Sequence, residues 1–257
     1  MMPTPQRARR PRYIRWSGFR FHVAHPQAHT FLTSRRTLIN IASMSSSEPS
    51  LGKNVILGVT GASGAIFARR MLQLIEADNR VGRIHLVISG SGLKVMRDEL
   101  DLDVSRSSEI ASALAAKVVA KTVYLLDSDI GASIASGSYP VDGMVVIPCT
   151  TGCLAQIANG ISETLIERAA DVCLKEGHKV VLAIRDAPFN RIHLKNMLRA
   201  QAAGAVIFPI IPSFYHRPKT IDDLVTQFCC RVLALLGLEQ ANQFRWMGLG
   251  DREESRQ

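Results

Sequence analysis

An arginine and an aspartate stand side by side at 185 and 186, directly after the apolar run Val181-Leu182-Ala183-Ile184. A guanidinium there can grip a phosphate, and the carboxylate beside it can move a proton. Two other apolar runs end in comparable polar ground: Val55-Ile56-Leu57-Gly58-Val59 leads into Thr60-Gly61-Ala62-Ser63-Gly64-Ala65, and Met144-Val145-Val146-Ile147-Pro148-Cys149 leads into Thr150-Thr151-Gly152-Cys153. Glycines let the main chain approach a ligand, and a helix starting at either turn aims free N–H groups and the positive end of its dipole at an anion. The spacing Gly58-x-x-Gly61-x-x-Gly64 is not that of a dinucleotide turn, and no Gly-Lys-Ser/Thr follows for a triphosphate loop. A lone Gly-rich turn is a weak signal, since tight packing of a strand on a helix also calls for one. Ser89-Gly90-Ser91-Gly92 and Ser136-Gly137-Ser138 add two more small polar stretches.

Cations fall in informative phase. Treated as one helix at about 100° per residue, 160–175 buries Ile161, Leu165, Ala169, Val172 and Cys173 and sets Arg168 and Lys175 within about 20° of each other beside that stripe. In 220–236 the stripe is Leu224, Val225, Phe228, Val232 and Leu235, with Arg231 at its rim. Cations so placed either snorkel to solvent or meet an anion. Phe214-Tyr215-His216-Arg217, held between Pro212 and Pro218, makes a stiff aromatic loop suited to closing over a ligand; His216 alone is more simply structural.

The elements that must position these groups are short. Apolar, β-branched runs at 54–59, 83–89, 121–125, 143–148, 180–185 and 205–209 read as strands, and 64–77, 92–100, 107–116, 160–175, 191–203 and 220–236 read as helices. Fully apolar strands alternating with helices imply an α/β fold, a parallel sheet with helices on both faces in three layers. Ligands of such sheets lie outside the carboxyl ends of the strands, where all three polar turns fall.

The chain has 257 residues and a net charge of +9. Eight arginines and a single acid, Glu48, fall within residues 1–50, a net +7, so the remainder carries only +2. A basic nucleic-acid groove on the domain is therefore not expected. The arginine-rich, acid-poor extension 1–50 has the composition of an organelle transit peptide, with mitochondrial import the favoured expectation and a plain tail in a cytoplasmic protein the alternative. Residues 51–238 form one domain and 239–257 a C-terminal tail. No apolar run reaches the ~18 residues of a membrane span. The five cysteines contain no C-x-x-C pair, which fits buried thiols rather than a disulfide framework. Cys149 and Cys153 lack the further ligands a metal needs.

With these residues in view, the chain from about Lys53 to Leu238 resembles the flavin prenyltransferases of the UbiX type, formerly described as aromatic-acid decarboxylases. The resemblance rests above all on Gly-Val-Thr-Gly-Ala-Ser-Gly-Ala at 58–65, Leu-Ile-Glu-Arg-Ala-Ala-Asp-Val at 165–172 and Phe-Tyr-His-Arg-Pro-Lys-Thr-Ile-Asp-Asp at 214–223. It implies a flavodoxin-like (Rossmann-like) sheet in a homo-oligomer, a dodecamer, with FMN bound between subunits. It also implies a reaction that joins the dimethylallyl group of dimethylallyl monophosphate to N5 and C6 of reduced FMN, the product passing to a UbiD-type decarboxylase. Carried over by motif, Gly61, Ala62, Ser63, Ser89, Thr150, Thr151, Gly152, Cys153 and Arg185 hold the flavin. Ser138, Arg168, Lys175, Tyr215 and Arg231 surround the prenyl phosphate, and Ser63, Lys175 and Asp186 take part in the chemistry. Glu99 and Ser136 match further polar positions, and Trp246 resembles an aromatic that closes the site.

Two residues depart from the family pattern: Asp186 stands where Glu is usual, one methylene shorter, and Cys153 where Thr or Ser is common. Two other functions compete. A flavin-dependent cysteine decarboxylase has a similar second flavin loop but needs a catalytic His upstream of it, and 94–148 contains none. A non-catalytic FMN-binding module would keep the two turns yet have no use for cations converging on a second anion.

Overall fold

The computed structural model describes residues 52–102 and 105–246, so the 1–50 extension and the end of the tail, 247–257, lie outside the described residues. Six strands, β1 (Lys53–Val59), β2 (Val81–Ile88), β3 (Thr122–Leu126), β4 (Gly143–Cys149), β5 (Lys179–Ile184) and β6 (Val206–Ile207), form one sheet in the order β3-β2-β1-β4-β5-β6. Every neighbouring pair is parallel. This is the doubly wound order, in which the crossovers that follow β1 and β4 run in opposite directions, to β2 and to β5, and open a crevice between the carboxyl ends of β1 and β4.

The strands alternate between two cores, which is why they read as unbroken apolar runs rather than as polar–apolar alternation. Val55, Leu57, Val145, Ile147, Val181 and Ala183 face one side, beneath α1 (Ala65–Ala77), α2 (Gly90–Leu100), α3 (Ile110–Ala115) and α7 (Ile221–Leu235). Ile56, Met144, Val146, Val180, Leu182 and Ile184 face the other, beneath α4 (Thr151–Ala158), α5 (Leu165–Lys175) and α6 (Arg191–Ala202). All six expected strands are present, the sixth cut to two residues.

Two expectations for helices are corrected. The segment 160–175 is not one helix: α4 ends at Ala158, Gly160 turns the chain at φ +68°, and α5 begins only at Leu165. The N–H of Thr164 is capped by the Glu167 carboxylate at 3.0 Å, so Ile161 lies in the connecting loop and is 42% exposed instead of buried. In α7 the buried face is Val225, Phe228, Cys229, Val232 and Leu233, which leaves Leu235 38% exposed. The adjacent thiols Cys229 and Cys230 pack as apolar groups and turn the helix away from the stripe drawn through Leu235. Its start is as expected, with the Thr220 hydroxyl accepting from the Asp223 N–H at 3.1 Å.

One buried polar residue sets a pH response. His85, in the middle of β2 and 2% exposed, has Nε2 3.1 Å from the Tyr139 hydroxyl and no partner at Nδ1. Burial, helped by the charge of Arg83, pushes its pKa down to about 4. The unfolded chain then takes up a proton near pH 6.5 that the folded one refuses until about 4, so stability falls as pH drops through that window. His85→Gln, which cannot take up a proton, is expected to remove about 2 kcal/mol of that acid-side loss, read from urea unfolding at pH 7 and pH 4.5.

Candidate functional site

Thr60 ends β1 and laces it to β4. Its hydroxyl donates to the Pro148 carbonyl at 2.8 Å and accepts from the Thr150 N–H at 2.8 Å, while its own N–H donates to Pro148 O at 3.1 Å. Beyond this staple the turn 61–64 passes so close to the start of α2 that a Cβ on Gly61 would lie 2.4 Å from Cβ and Oγ of Ser91. Gly64, at φ +114°, delivers the chain into α1.

The anion expected at α1 comes from the protein itself. Glu99, at the end of α2, accepts from the Gly64 N–H at 2.9 Å and the Ala65 N–H at 2.7 Å. Burial would raise this carboxyl, but hydrogen bonds from Ser63, Ala65 and Gly64 and the charge of Arg185 outweigh it and hold the pKa below the usual carboxylate value. Ser63 and Arg185 therefore border the same carboxylate.

A polar cavity lies next door. Ser89 caps α2 by accepting from the Gly92 N–H at 3.0 Å, and Thr150 caps α4 by accepting from the Cys153 N–H at 3.1 Å. Both helices start at one cavity of about 240 Å³ that Ser89, Ser91, Thr150, Gly152 and Cys153 help to line. The N–H groups of the first turn of each helix are the ones that helix geometry leaves open, so two positive helix ends meet there. The site thus gathers Gly61, Ala62 and Ser63, Ser89 and the whole of 150–153 at the carboxyl ends of β1, β2 and β4.

Asp186 belongs to the same group. Its Oδ2 accepts from the Thr151 hydroxyl at 3.1 Å and its Oδ1 from the Ala187 N–H at 2.9 Å, fixing the carboxylate beside the start of α4. It forms no ion pair with Arg185 among the described residues. Sequence reasoning passed over Asp127, Gln156 and Glu167, which also line the smaller cavity. Asp127 directly follows β3 and takes the Leu165 N–H on its carbonyl and the Ile166 N–H on its carboxylate. The rule that searched the ends of the other strands would have found it at the end of this one.

The remaining residues fall into two separate groups. Arg231 and Tyr215 line a cavity of about 630 Å³ together with Phe208, Phe228, Phe244 and Trp246, and the Tyr215 and Trp246 rings meet edge to face at 5.2 Å. Arg168, Lys175, Ser136 and Ser138 form the other. Arg168 Nε donates to Ala135 O at 3.2 Å, and the Ser136 and Ser138 hydroxyls are 2.9 Å apart. Lys175 pairs with Glu176 at 2.7 Å, and the pair lies so tightly on Gly137 that a Cβ there would sit 2.8 Å from the ammonium. The hydrogen bond and charge of Lys175 lower the Glu176 pKa.

Topology keeps these two groups apart. α5 starts at the carboxyl end of β3, where Leu165 bonds Asp127, and runs back about 16 Å to the start of β5. Lys175 ends that helix, so it sits toward the amino edge of the sheet, while α5 and α7 cover opposite faces.

Residues 43–232 match the Flavoprotein family. The mitochondrial flavin prenyltransferase PAD1 of Saccharomyces cerevisiae is 38% identical over 220 residues, covering 86% of this chain and 85% of its own. The chain belongs to the flavin prenyltransferase family. Among solved members, a UbiX protein (PadA1) crystallised with FMN and dimethylallyl pyrophosphate aligns with a TM-score of 0.68 at 35% identity, over 77% of this chain and 99% of that one. A dodecameric FMN-dependent UbiX-like decarboxylase from Escherichia coli O157:H7 aligns at 0.67 and 39% identity, over 76% of this chain and 100% of that one.

For this member of the family, Gly61→Ala tests the turn. The added methyl must push the start of α2 away, so a loss of about 1–3 kcal/mol in denaturant unfolding is expected, together with weaker FMN binding in a fluorescence titration. Ser91→Gly in the same chain should restore both.

Proposed function

We propose that the protein is a flavin prenyltransferase that moves a dimethylallyl group from dimethylallyl phosphate onto N5 and C6 of reduced FMN. The observation that carries this reading is the pairing of two unlike cavities on one chain. One is small, and beside the hydroxyls and helix N-termini that suit a flavin phosphate it carries the carboxylates of Asp127 and Glu167, each already holding a backbone N–H of the 164–166 turn; the other is aromatic, with Arg231 as its cation. A flavin-binding module needs only the first.

Reduced FMN, when bound, supplies the nucleophile. The chain's residues handle the other partner. As the allylic C–O bond breaks, the departing phosphate gains charge, and Arg231, Arg185, Lys175 and the Tyr215 hydroxyl are the groups to stabilise it. The faces of Tyr215 and Trp246 stabilise positive charge on the allyl carbon. Ring closure releases a proton, and in this reading Asp186, whose carboxylate Thr151 orients, accepts it. Ser63, hydrogen-bonded to Glu99, orients the flavin edge, and Ser138 and Arg168 support Lys175.

Because Lys175 and Arg231 lie on opposite faces of one chain, the reading requires that a second copy bring its Lys175, Arg168 and Ser136-Gly137-Ser138 cluster to the Tyr215–Arg231 cavity. The dodecameric relative supports such an assembly. Domain boundaries at 51 and 238, delivery of the product to a UbiD-type decarboxylase, and removal of 1–50 on mitochondrial import complete the proposal. The import step is supported by the arginine-rich composition of the extension and by the mitochondrial relative in yeast; a native protein that retains Met1 would argue against it.

Anaerobic incubation with reduced FMN and dimethylallyl phosphate should raise the flavin mass by one five-carbon unit, and an unchanged mass spectrum defeats the proposal. Lys175→Ala and Arg231→Ala should each abolish transfer while FMN still binds. Co-assembly of the two variants in equal amounts should recover about a quarter of the wild-type rate by random mixing, because those sites pair the intact Lys175 of one variant with the intact Arg231 of the other; no recovery would place both cations on one chain. Asp186→Glu, with its longer reach, should retain or raise the rate, and complete loss would remove Asp186 from the proton transfer.

A further inference from the structure

Gln227, on α7 between the buried Val225 and Phe228, uses both ends of its side chain on one stretch of backbone. Its Nε2 donates to the Asn242 carbonyl at 2.8 Å, and its Oε1 accepts from the Phe244 N–H at 2.8 Å. Residues 242–246 form no helix or strand, so these two bonds do the fixing that regular structure does elsewhere. The Cys230 thiol adds a donation to Asn242 Oδ1 at 3.6 Å. Ring contacts finish the placement: Phe244 lies 6.2 Å from the His216 ring and Trp246 lies 5.2 Å from Tyr215. Both aromatics thereby become walls of the 630 Å³ cavity that Arg231 also lines.

We propose that Gln227 is a positioning residue for the allylic substrate: its amide latches residues 242–246 against α7, so that Trp246 and Tyr215 face the same ligand as Arg231. A side-chain amide suits the task because the segment offers an acceptor at 242 and a donor at 244, and an amide supplies one of each. Gln227→Ala leaves both backbone groups without that partner. Gln227→Glu keeps the acceptor for Phe244 but sets a carboxylate against the Asn242 carbonyl. Alanine is also the best helix former, so the first variant keeps α7 intact. The role in substrate positioning rests on the function proposed above; the latch can be observed without turnover.

The test uses the full chain loaded with FMN. Trypsin cleaves after Arg245, and mass spectrometry measures the peptide that begins at Trp246. Its release should quicken roughly tenfold in Gln227→Ala, with a smaller change in Gln227→Glu, as expected for losing two hydrogen bonds or one. Acrylamide quenching of Trp246 should rise in parallel, measured with the other tryptophan removed by Trp16→Phe. KM for dimethylallyl phosphate should increase by a similar factor while kcat changes less and FMN affinity stays constant. Unchanged cleavage and quenching in both variants would overturn the latch. Faster cleavage with an unchanged KM would overturn the positioning role, and joint loss of FMN and thermal stability in both variants would show an ordinary packing residue instead. If the wild-type chain transfers no prenyl group and the protease difference persists, the latch stands and the proposed reaction fails.

Discussion

Ladder bonds hold β1 to β4 as far as Gly58 and Val146, and past that point the two strands are joined through Thr60. The crossovers that follow β1 and β4 leave in opposite directions, to β2 and to β5, and Pro148 has no N–H with which to continue the ladder. A buried hydroxyl that donates to one strand and accepts from the other closes the ladder while leaving the crevice open above it. The turn 61–64, the Thr150 cap and the start of α2 all take their positions from that point. The close approach of Gly61 to Ser91 is one result, since the turns after β1 and β2 are drawn together at the same edge.

Charge is then divided by helix direction. The N-terminus of α1 is neutralised internally by Glu99, which leaves the ends of α2 and α4 for an external anion. Both ends are capped by hydroxyls, Ser89 and Thr150, that turn inward to their own helices and take one N–H each, while the two acids of the cavity, Asp127 and Glu167, are turned to the N–H groups of Ile166 and Thr164. The cations are elsewhere, Arg185 beside Glu99, Arg231 over the aromatic cavity and Lys175 at the far end of α5. A helix that must return to the start of the next strand cannot keep both of its ends at one edge of the sheet, and this is what makes the Lys175 group a surface offered outward.

Much of this was legible in the chain. Six unbroken apolar runs forecast six parallel strands, because strands covered on both faces have no polar side to show. The carboxyl-end rule alone points to Ser63, Ser89, Thr150 and Asp186, because each lies in the turn that follows an apolar strand. The errors came where helices meet loops: Ile161 fitted a helical stripe, but the left-handed Gly160 and the Thr164–Glu167 cap broke the helix ahead of Leu165. Leu235 fitted another, but two neighbouring cysteines took its place in the core.

By itself, the sequence determined the sheet, its direction, the turns at its mouth and the residue types able to hold a phosphate, since hydrophobic period and turn chemistry are local properties of the chain. Tertiary structure alone decided that Glu99 fills the first helix end, that Gln227 holds residues 242–246, and that Lys175 and Arg231 are separated by the sheet. Those contacts join residues far apart in the chain, and their distances follow from how the layers stack rather than from any spacing that can be read along it.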